Sequence, residues 1–266
     1  MLIHQILINS TNTLPKLPEY IQFCQSQIKK LYSSYQYHLY SGKEIEKIIK
    51  NNFPKEVISS YHSLKPYAYK ADLARYCLLY LYGGLYIDIS LLCVNSLNLE
   101  DKNFFAFRDL PEFSDPWWAI TNAIIYSKPK SNIMKTAIDL MVHHCKTTFY
   151  GVSAIDVGGP TVLGKAIMRS QENFDRVMTN GQVNNVKCVD IDIDNNKLIS
   201  FGYDLNKLTG FILDESKKVI ALRKPSRGGD IQSLGFQGTN NYVDMWLSKD
   251  VYNKNVEFKT SKYFYS

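Results

Sequence analysis

Residues 66–94 read PYAYKADLARYCLLYLYGGLYIDISLLCV, and this stretch decides the fold of the chain. Between residues 73 and 81, apolar side chains recur at helical spacing and predict one apolar stripe along a helix. Gly83 and Gly84 end that helix, because glycine readily adopts the positive φ values that follow a last helical turn. The next residues alternate and predict a strand. The stretch therefore predicts a helix that leads directly into a sheet.

Polar residues of this stretch converge on one end of the predicted sheet. Asp72 and Arg75 are three residues apart, hence on one helix face, where they can pair or face a ligand together. In residues 85–90 the alternation places Asp88 and Ser90 on one side of the strand. Ligands of open α/β sheets bind beyond the carboxyl ends of the strands. We therefore expect a site that contains Asp72, Arg75 and Asp88.

The flanking segments extend this pattern into an α/β architecture. Strand and helix patterns alternate through the first 65 residues and predict a largely parallel sheet flanked by helices. The predicted segments there are a strand at 2–8, a helix at 17–31, a strand at 35–39, a helix capped by Ser41 that runs to Lys50, and a helix at 54–64. Further along they are a strand at 119–126, helices at 133–145 and 160–168, a half-buried strand at 189–194 and a last helix at 243–247. No internal repeat or linker is visible, so we expect a single domain over residues 1–266.

The composition is that of a soluble globular protein. Of the 266 residues, 45% are hydrophobic and 21% charged, which excludes a disordered or fibrous chain. The net charge of +6 is too small and too dispersed to indicate nucleic-acid binding, but it suits an anionic small molecule or a lipid surface. The 19 tyrosines suit amphipathic sites such as those for sugars.

The cysteines and the first residues bear on the compartment. The five cysteines are odd in number, scattered and without a CxxC pair, so we expect a reducing compartment and neither a disulfide framework nor a zinc site. The start, MLIHQILINS, lacks the basic region of a signal peptide, and no later run approaches the roughly 18 apolar residues of a membrane span. We expect a cytoplasmic protein, with at most peripheral contact at the inner face of the membrane.

Two motifs carry a resemblance to a known family. Residues 70–76, KADLARY, and 82–88, YGGLYID, resemble the sugar-binding region of the family 32 glycosyltransferases. That family includes bacterial capsule-synthesis enzymes and yeast mannosyltransferases, and the clostridial glucosylating toxins share the motif. Weaker similarities lie in residues 3–6, at Asn122 with residues 127–129, and at residues 159–160.

The resemblance implies a GT-A-type nucleotide-diphosphosugar transferase fold with a single Rossmann-like, mostly parallel central sheet. It implies that Asp72 and Arg75 bind hydroxyls of the donor sugar. Asp88, as the first Asp of a DxD motif, would contact ribose and sugar, and these three are the predicted catalytic residues. The donor would be a UDP- or GDP-sugar, usually with a divalent cation, Mn²⁺ or Mg²⁺. The predicted donor-binding residues are Ile6, Leu7, Tyr67, Lys70, Gly84, Tyr86, Asn122, Asp156, Arg223, Arg227 and Asn240.

Two positions depart from the family pattern. Ser90 stands where the second Asp of the DxD motif usually binds the metal. A hydroxyl is a weaker ligand for a hard cation than a carboxylate, so Asp88 with Ser90 is a weak metal site. Leu7 stands where a Trp commonly stacks on the base. The alternatives are an enzyme with weakened metal binding, a metal-independent enzyme, or an inactive relative.

A basic segment suits the metal-independent alternative. Arg223, Lys224 and Arg227 lie on a glycine-ended loop, where guanidinium groups can clamp a diphosphate bidentately. Transfer that resists chelators and is lost in Arg223→Ala or Arg227→Ala would support this role, whereas strict Mn²⁺ or Mg²⁺ dependence would contradict it. The structural alternative is a solvated basic surface.

Three further acids compete for the metal. Asp190, Asp192 and Asp194 contain two intact DxD patterns. Alternating acids are also typical of a solvent-facing strand, and the glycine-rich context is found only before Asp88. We expect the structural role for these three.

Several aromatic and polar residues have a structural alternative of the same kind. Trp117 and Trp118 are either an acceptor-sugar platform or packing residues, and Asp156 either meets a sugar or only shapes the turn before Gly159 and Pro160. Asn240 and Asn241 loosely resemble the residues with which members of that family contact the donor diphosphate or the metal. The histidines are expected to be structural: His4 in the core, and His143 and His144 at a helix end, where they complement the dipole.

The predicted function is transfer of a hexose-type sugar from a nucleotide diphosphate to a hydroxyl of a capsule- or lipopolysaccharide-type glycan, with retention of configuration. The partners would be the nucleotide sugar and a glycan or lipid-linked oligosaccharide, with no nucleic acid. The leaving phosphate can take the acceptor proton, so no general base is nominated. One rival is a protein-modifying glycosyltransferase, which the lack of a delivery domain in 266 residues disfavours. The other is an inactive sugar-nucleotide-binding relative, because the DxD motif is degraded to Asp-Ile-Ser.

Overall fold

A computed structural model describes residues 1–110, 118–170, 181–187, 191–213, 216–225 and 231–258. The helices within these ranges are α1 (Glu19–Leu31), α2 (Gly42–Asn52), α3 (Lys55–Ser63), α4 (Tyr67–Tyr82), α5 (Asn132–Thr147), α6 (Pro160–Arg169), α7 (Asn195–Ser200) and α8 (Tyr242–Leu247). The strands are β1 (Leu2–Leu7), β2 (Gln36–Ser41), β3 (Gly84–Ile87), β4 (Leu92–Cys93), β5 (Phe104–Arg108), β6 (Ile120–Ser127), β7 (Gln182–Asn184), β8 (Thr209–Leu213) and β9 (Lys218–Leu222). Short 3₁₀ turns lie at Ala154–Asp156 and Gln232–Leu234. The predicted alternation of strands and helices in the first part of the chain is confirmed.

A five-stranded sheet forms the centre of the fold, in the order β2-β1-β3-β6-β5. β1 pairs in parallel with β2 and β3, whereas β6 pairs antiparallel with β3 and β5. Four of the five strands therefore run in the same direction, and the predicted mostly parallel sheet is confirmed. Their carboxyl ends share one edge, which is where open α/β sheets bind ligands.

A second sheet adds to the predicted single central sheet. Its four antiparallel strands have the order β4-β9-β8-β7. Leu85 and Ile87 of β3 share a buried cluster with Phe211 and Ala221 of this second sheet. Tyr86 points the other way, into the cluster formed with α4 and α5. The period-2 alternation of β3 therefore buries the strand between two different layers.

The turn between α4 and β3 accepts only glycine. Gly83 has a φ of 61° and Gly84 a φ of 100°. A Cβ on Gly84 would lie 2.4 Å from the Leu2 carbonyl oxygen, and one on Gly83 would lie 2.6 Å from Pro129. The predicted helix end is confirmed, and the missing side chains allow β3 to lie directly beside β1.

The predicted strand at residues 85–90 is wrong beyond Ile87, where β3 ends. The Asp88 N–H donates to the Ala123 carbonyl at 2.8 Å, and the chain then turns, because the Leu91 N–H donates to the Asp88 carbonyl at 3.1 Å. Ser90 therefore lies in a turn and does not share a strand face with Asp88.

Two helix caps test other local predictions. Ser41 caps α2 in a capping box: its hydroxyl accepts from the Glu44 N–H at 3.3 Å, and the Glu44 carboxylate accepts from the Ser41 N–H at 2.9 Å. The strand predicted at 189–194 is wrong over residues 191–194, which adopt no strand. Asp194 instead caps α7 by accepting from the Asn196 N–H at 3.0 Å. Residues 189 and 190 lie outside the described residues.

The helix α4 occupies the middle of the fold. It contacts β1, β3 and β6 on one side and α5 on the other, so most of its residues between Tyr69 and Leu79 are buried. Because α4 is covered on both sides, the surrounding packing fixes the positions of its polar side chains. Among the described helices, none combines the length and the apolar character that a bilayer crossing requires.

Candidate functional site

A cleft of about 1190 Å³ opens at the carboxyl ends of β1 and β3. One wall consists of those strand ends, α4 and the start of β6, and the opposite wall consists of residues 202–209, 223–225 and 239–246. Pockets for drug-sized ligands have about 300 to 1000 Å³, so this cleft has room for a larger ligand. The predicted site residues that line it are Ile6, Leu7, Tyr67, Asp72, Arg75, Tyr86, Asp88, Ser90, Asn122, Arg223 and Asn240.

Arg75 joins three elements at the floor of the cleft. Its guanidinium contacts the Asp72 carboxylate through Nη2 and the Asp88 carboxylate through Nη1, each at 3.0 Å. Nη1 also donates to the Asn122 carbonyl at 2.5 Å, and the guanidinium carbon lies 4.4 Å from the centroid of the Tyr86 ring. The predicted pairing of Asp72 with Arg75 is confirmed, and the same cation holds α4, the turn after β3 and β6 together.

Each of the two carboxylates is bound through its Oδ1 atom. The Tyr86 hydroxyl donates to Asp88 Oδ1 at 2.6 Å, and the Asn122 amide donates to Asp72 Oδ1 at 2.5 Å. Arg75 binds the same two Oδ1 atoms, so Oδ2 of both residues accepts no hydrogen bond from the described residues. Burial raises the pKa of the Asp72 carboxyl to about 7, against the opposing effect of Arg75.

The turn that carries Ser90 is fastened by tyrosines. The Tyr20 hydroxyl donates to the Ser90 carbonyl at 2.8 Å and lies 2.8 Å from the Tyr203 hydroxyl.

Within the ranges that the structure describes, no group of three or more His, Cys, Asp and Glu side chains could hold a metal ion. A Mg²⁺-type ion shared with a substrate needs only one or two carboxylates, because phosphates and water complete its shell. The Asp88 carboxylate fits that requirement, and Ser90 lines the same cleft.

The opposite wall carries cationic side chains. Lys207, Arg223 and Lys224 line it, and the Lys207 ammonium lies 3.5 Å from the Asp204 carboxylate with 77% of its side chain exposed. Arg223 directly follows β9, where its N–H donates to the Thr209 carbonyl at 2.8 Å. This wall attracts an anionic ligand, at positions that solvent reaches.

The C-terminal segment closes onto α4 through an amide and an aromatic ring. Asn240 accepts from the Tyr67 N–H at 2.9 Å and donates to a backbone carbonyl at 3.2 Å, so its amide positions the segment. Tyr242 packs against Tyr69 at 5.5 Å between ring centroids and lines the cleft. Burial, followed by the Asp72 carboxylate, raises the pKa of Tyr242. Sequence reasoning missed Tyr242, although it stands only two residues from Asn240.

Three predicted donor-binding residues do not line the cleft. The Lys70 ammonium lies over the Tyr61 ring, 4.8 Å from its centroid, toward α3. Gly84 packs against β1, as described above. Asp156 accepts from the N–H groups of Val152 and Ser153 at 2.9 and 3.0 Å and thereby shapes its own turn. These three residues therefore lie in the elements around the cleft and not in its lining.

Some of the remaining candidates lie outside the described residues, and the others do not line the cleft. Trp117, Asp190 and Arg227 lie outside the described residues. The Trp118 carbonyl would lie 2.2 Å from a Cβ on Gly164, so this residue packs closely on α6. The exposed Asp192 and the α7 cap Asp194 do not line the cleft, and neither does Asn241, which caps α8.

The histidines have structural positions. His4 is fully buried, with Nε2 2.8 Å from the Gly83 carbonyl and Nδ1 3.1 Å from the Tyr40 hydroxyl. His144 is buried near the end of α5, with Nδ1 3.0 Å from the Val157 carbonyl, and His143 beside it is exposed. Burial lowers the pKa of both His4 and His144 to about 4. The predicted core role of His4 is confirmed.

Comparison with known proteins identifies relatives. A glycosyltransferase described as uncharacterised, from Acanthamoeba polyphaga mimivirus, is 34% identical over 97 residues, 36% of this chain and 37% of the relative. Inositol phosphoceramide mannosyltransferase 3 of Schizosaccharomyces pombe is 28% identical over 36% of this chain and 29% of its own. Mannosyl phosphorylinositol ceramide synthase of Saccharomyces cerevisiae is 24% identical over 66% of this chain and 44% of its own. This chain thus spans less than half the length of each of these relatives.

Two further matches concern a solved structure and a family profile. The PaToxG glycosyltransferase superposes with a TM-score of 0.46 at 19% identity, over 64% of this chain and 69% of that chain. The profile of the family described as capsular polysaccharide synthesis protein matches residues 14–152. The predicted resemblance, which included capsule-synthesis enzymes and yeast mannosyltransferases, is confirmed. Because the profile covers more than half of the residues, including α4, β3 and the Asp72–Arg75–Asp88 cluster, the chain belongs to the capsular polysaccharide synthesis protein family.

Proposed function

We propose that this protein is a retaining glycosyltransferase that moves a hexose-type sugar from a nucleotide diphosphate to a hydroxyl of a glycan. The observation that carries the proposal is the Arg75 cluster, which holds two carboxylates side by side at the strand ends that border the cleft. Both residues line the cleft, and the Asp88 carboxylate, whose side chain is 33% exposed, can accept a hydrogen bond from a sugar hydroxyl. The names of the relatives support glycosyl transfer, and two of them specify mannosyl groups.

The donor lies across the cleft in this proposal. The sugar binds at Asp72 and Asp88, and the diphosphate faces the wall that carries Lys207, Arg223 and Lys224. Asp88 and Ser90 would hold a divalent cation, which when bound supplies positive charge to the departing diphosphate. Fixed cationic side chains aimed at the same oxygens act in the same sense, because negative charge develops there in the transition state.

The proposed reaction needs no enzymic base. The bond between the anomeric carbon and the phosphate oxygen breaks, and the bond from the acceptor oxygen to that carbon forms on the same face. The acceptor proton passes to the departing phosphate oxygen. The residues of the cleft then act by positioning the two substrates and stabilising charge.

We place the acceptor in the capsule or lipopolysaccharide class, as a glycan or lipid-linked oligosaccharide. The family description supports a polysaccharide product. A cytoplasmic reaction with peripheral contact at the membrane's inner face would suit a lipid-linked acceptor. The donor base and sugar follow from the test below.

The test is a thermal-shift screen of UDP- and GDP-sugars with and without Mn²⁺, followed by measurement of nucleotide release. A donor that binds the native state raises its melting temperature by mass action. We expect Asp88→Ala to lower donor turnover by about 100-fold or more, the magnitude seen when a group that stabilises transition-state charge is removed. The control is Asp139→Ala, on an exposed face of α5. Normal turnover in Asp88→Ala would contradict the proposal.

A second function is favoured by the position of Ser90. Without a second carboxylate in the turn after β3, the protein would be a sugar-nucleotide-binding module that does not turn its ligand over. Donor-induced stabilisation without nucleotide release, under Mn²⁺, Mg²⁺ and chelator alike, would establish this function in place of transfer.

A further inference from the structure

A buried amide donor without a partner lines the cleft away from the Arg75 cluster. Gln182, the first residue of β7, is 3% exposed and lines the cleft. Its Nε2 atom has no hydrogen-bond partner within the described part of the chain. Buried polar groups are nearly always hydrogen-bonded, and leaving one unmatched is unfavourable. In the wall of a cleft, the missing partner is expected to come from a ligand.

The sheet register places a carboxylate beside this amide. Arg108 and Gly181 form a parallel bridge, so the next residue of each segment, Asp109 and Gln182, lie side by side. Asp109 follows β5 and also lines the cleft. β5 is the edge strand of the main sheet, separated from β3 by β6. Asp109 and Gln182 therefore lie on the β5 side of the sheet, with β3 and β6 between them and β1.

We propose that Asp109 and Gln182 form an acceptor subsite that binds a hydroxyl group of a sugar ring, an inference that rests on the proposed glycosyl transfer. A sugar hydroxyl both donates and accepts hydrogen bonds. It can donate to the Asp109 carboxylate while it or its neighbour accepts from the Gln182 amide. A fully ionised phosphate has no proton to donate to the Asp109 carboxylate, whereas a sugar hydroxyl has one. The acceptor is thus recognised at this position as a neutral sugar.

Substitution of Gln182 tests the subsite. Gln182→Leu removes the amide at similar volume, and Gln182→Met is a second variant in case the first does not fold. Gln25→Leu is the matched control, because Gln25 is also buried with an unpartnered Nε2 but does not line the cleft. The acceptor probes are methyl mannoside, glucoside and galactoside, and the readout is nucleotide release above the rate without acceptor, as a function of donor and acceptor concentration.

We expect the acceptor KM of Gln182→Leu to rise about tenfold, the effect of one lost hydrogen bond to a buried group, while the donor KM changes less than about twofold. Gln25→Leu should change neither constant. An unchanged acceptor KM, an equal rise in the donor KM, or a wild type that no glycoside stimulates would each overturn the subsite. Failure of the wild type to bind or turn over any nucleotide sugar would instead overturn the proposed function itself.

Discussion

The two walls of the cleft hold their charges in different ways. On the wall formed by α4, β3 and β6, the Arg75 and Asp72 side chains are 5% and 7% exposed and bound to each other. On the opposite wall, the Lys207 side chain is 77% exposed and 3.5 Å from its partner Asp204. Buried charges lose more when a partner is removed, because no water replaces it, whereas exposed charges are screened by solvent and salt. The first wall therefore holds its charged side chains in fixed positions, whereas the charged side chains of the second wall can move to meet a ligand.

The largest effect is expected from Arg75→Met. This change leaves the carboxylates of Asp72 and Asp88 without their cation, at a site where water reaches Asp72 poorly. We expect a loss of about 3 to 5 kcal/mol in the free energy of unfolding, the usual cost of breaking a buried ion pair. Urea denaturation measures it. Lys135→Met, which breaks an exposed pair with Asp139 on α5, should cost at most about 0.5 kcal/mol.

Arg75→Lys sharpens the same contrast. A lysine keeps the charge but cannot reach Asp72, Asp88 and the Asn122 carbonyl with one planar group. We expect partial recovery of stability relative to Arg75→Met, without recovery of donor turnover. Equal losses of stability in Arg75→Met and Lys135→Met would show that the buried ion pairs of Arg75 stabilise the fold no more than the exposed Lys135–Asp139 pair does.

We expect the free energy of unfolding to fall in acid, because His4 is buried beside the wall formed by α4, β3 and β6. His4 joins β1 to the turn before β3, and burial lowers its pKa to about 4. Between about pH 6.5 and 4 the unfolded chain takes up a proton that the folded chain refuses, so stability falls as the pH falls. Each histidine with such a pKa, here His4 and His144, contributes a loss of roughly 2 kcal/mol between about pH 6.5 and pH 5.

The measurement is urea unfolding across this pH range. His4→Gln should reduce the loss by the share of one histidine. The control is His62→Gln, which replaces a histidine whose side chain is 45% exposed. An identical pH dependence in wild type and His4→Gln would mean that the pKa of His4 is the same in the folded and the unfolded protein.

The elements that could be predicted from the sequence are those set by short-range patterns. The periodicity of α4, the two glycines that end it and the Ser41 capping box all follow from residues a few positions apart. The Asp72–Arg75 pair follows in the same way from a spacing of three on a helix. In each case the local backbone alone brings the residues of the pattern together.

The elements that could not be predicted depend on distant partners. The last pair that β3 forms with β6 is Ile87 with Ile124, and the chain then turns where the Leu91 N–H donates to the Asp88 carbonyl, which the alternation of residues 85–90 does not show. β4 has only two residues and exists because Leu92 pairs with Leu222. Gln182 shows no signal in the sequence, since its role depends on where β7 meets the main sheet. Short strands, and residues brought together across the cleft, can be identified only from the tertiary structure.

The smallest effect is expected on the exposed wall, from Arg223→Ala. Arg223 lines the cleft at the end of β9, where loss of one solvent-accessible contact to phosphate should weaken UDP or GDP binding about three- to tenfold. The difference from wild type should shrink as salt is added, because screening weakens exposed charges. Calorimetric titration at low and at high salt concentration measures both effects, and Lys218→Ala, at the other end of β9, is the control. A loss that salt does not reduce would mean that Arg223 acts as a buried cation like Arg75, and the two walls would then not differ in the way their charges work.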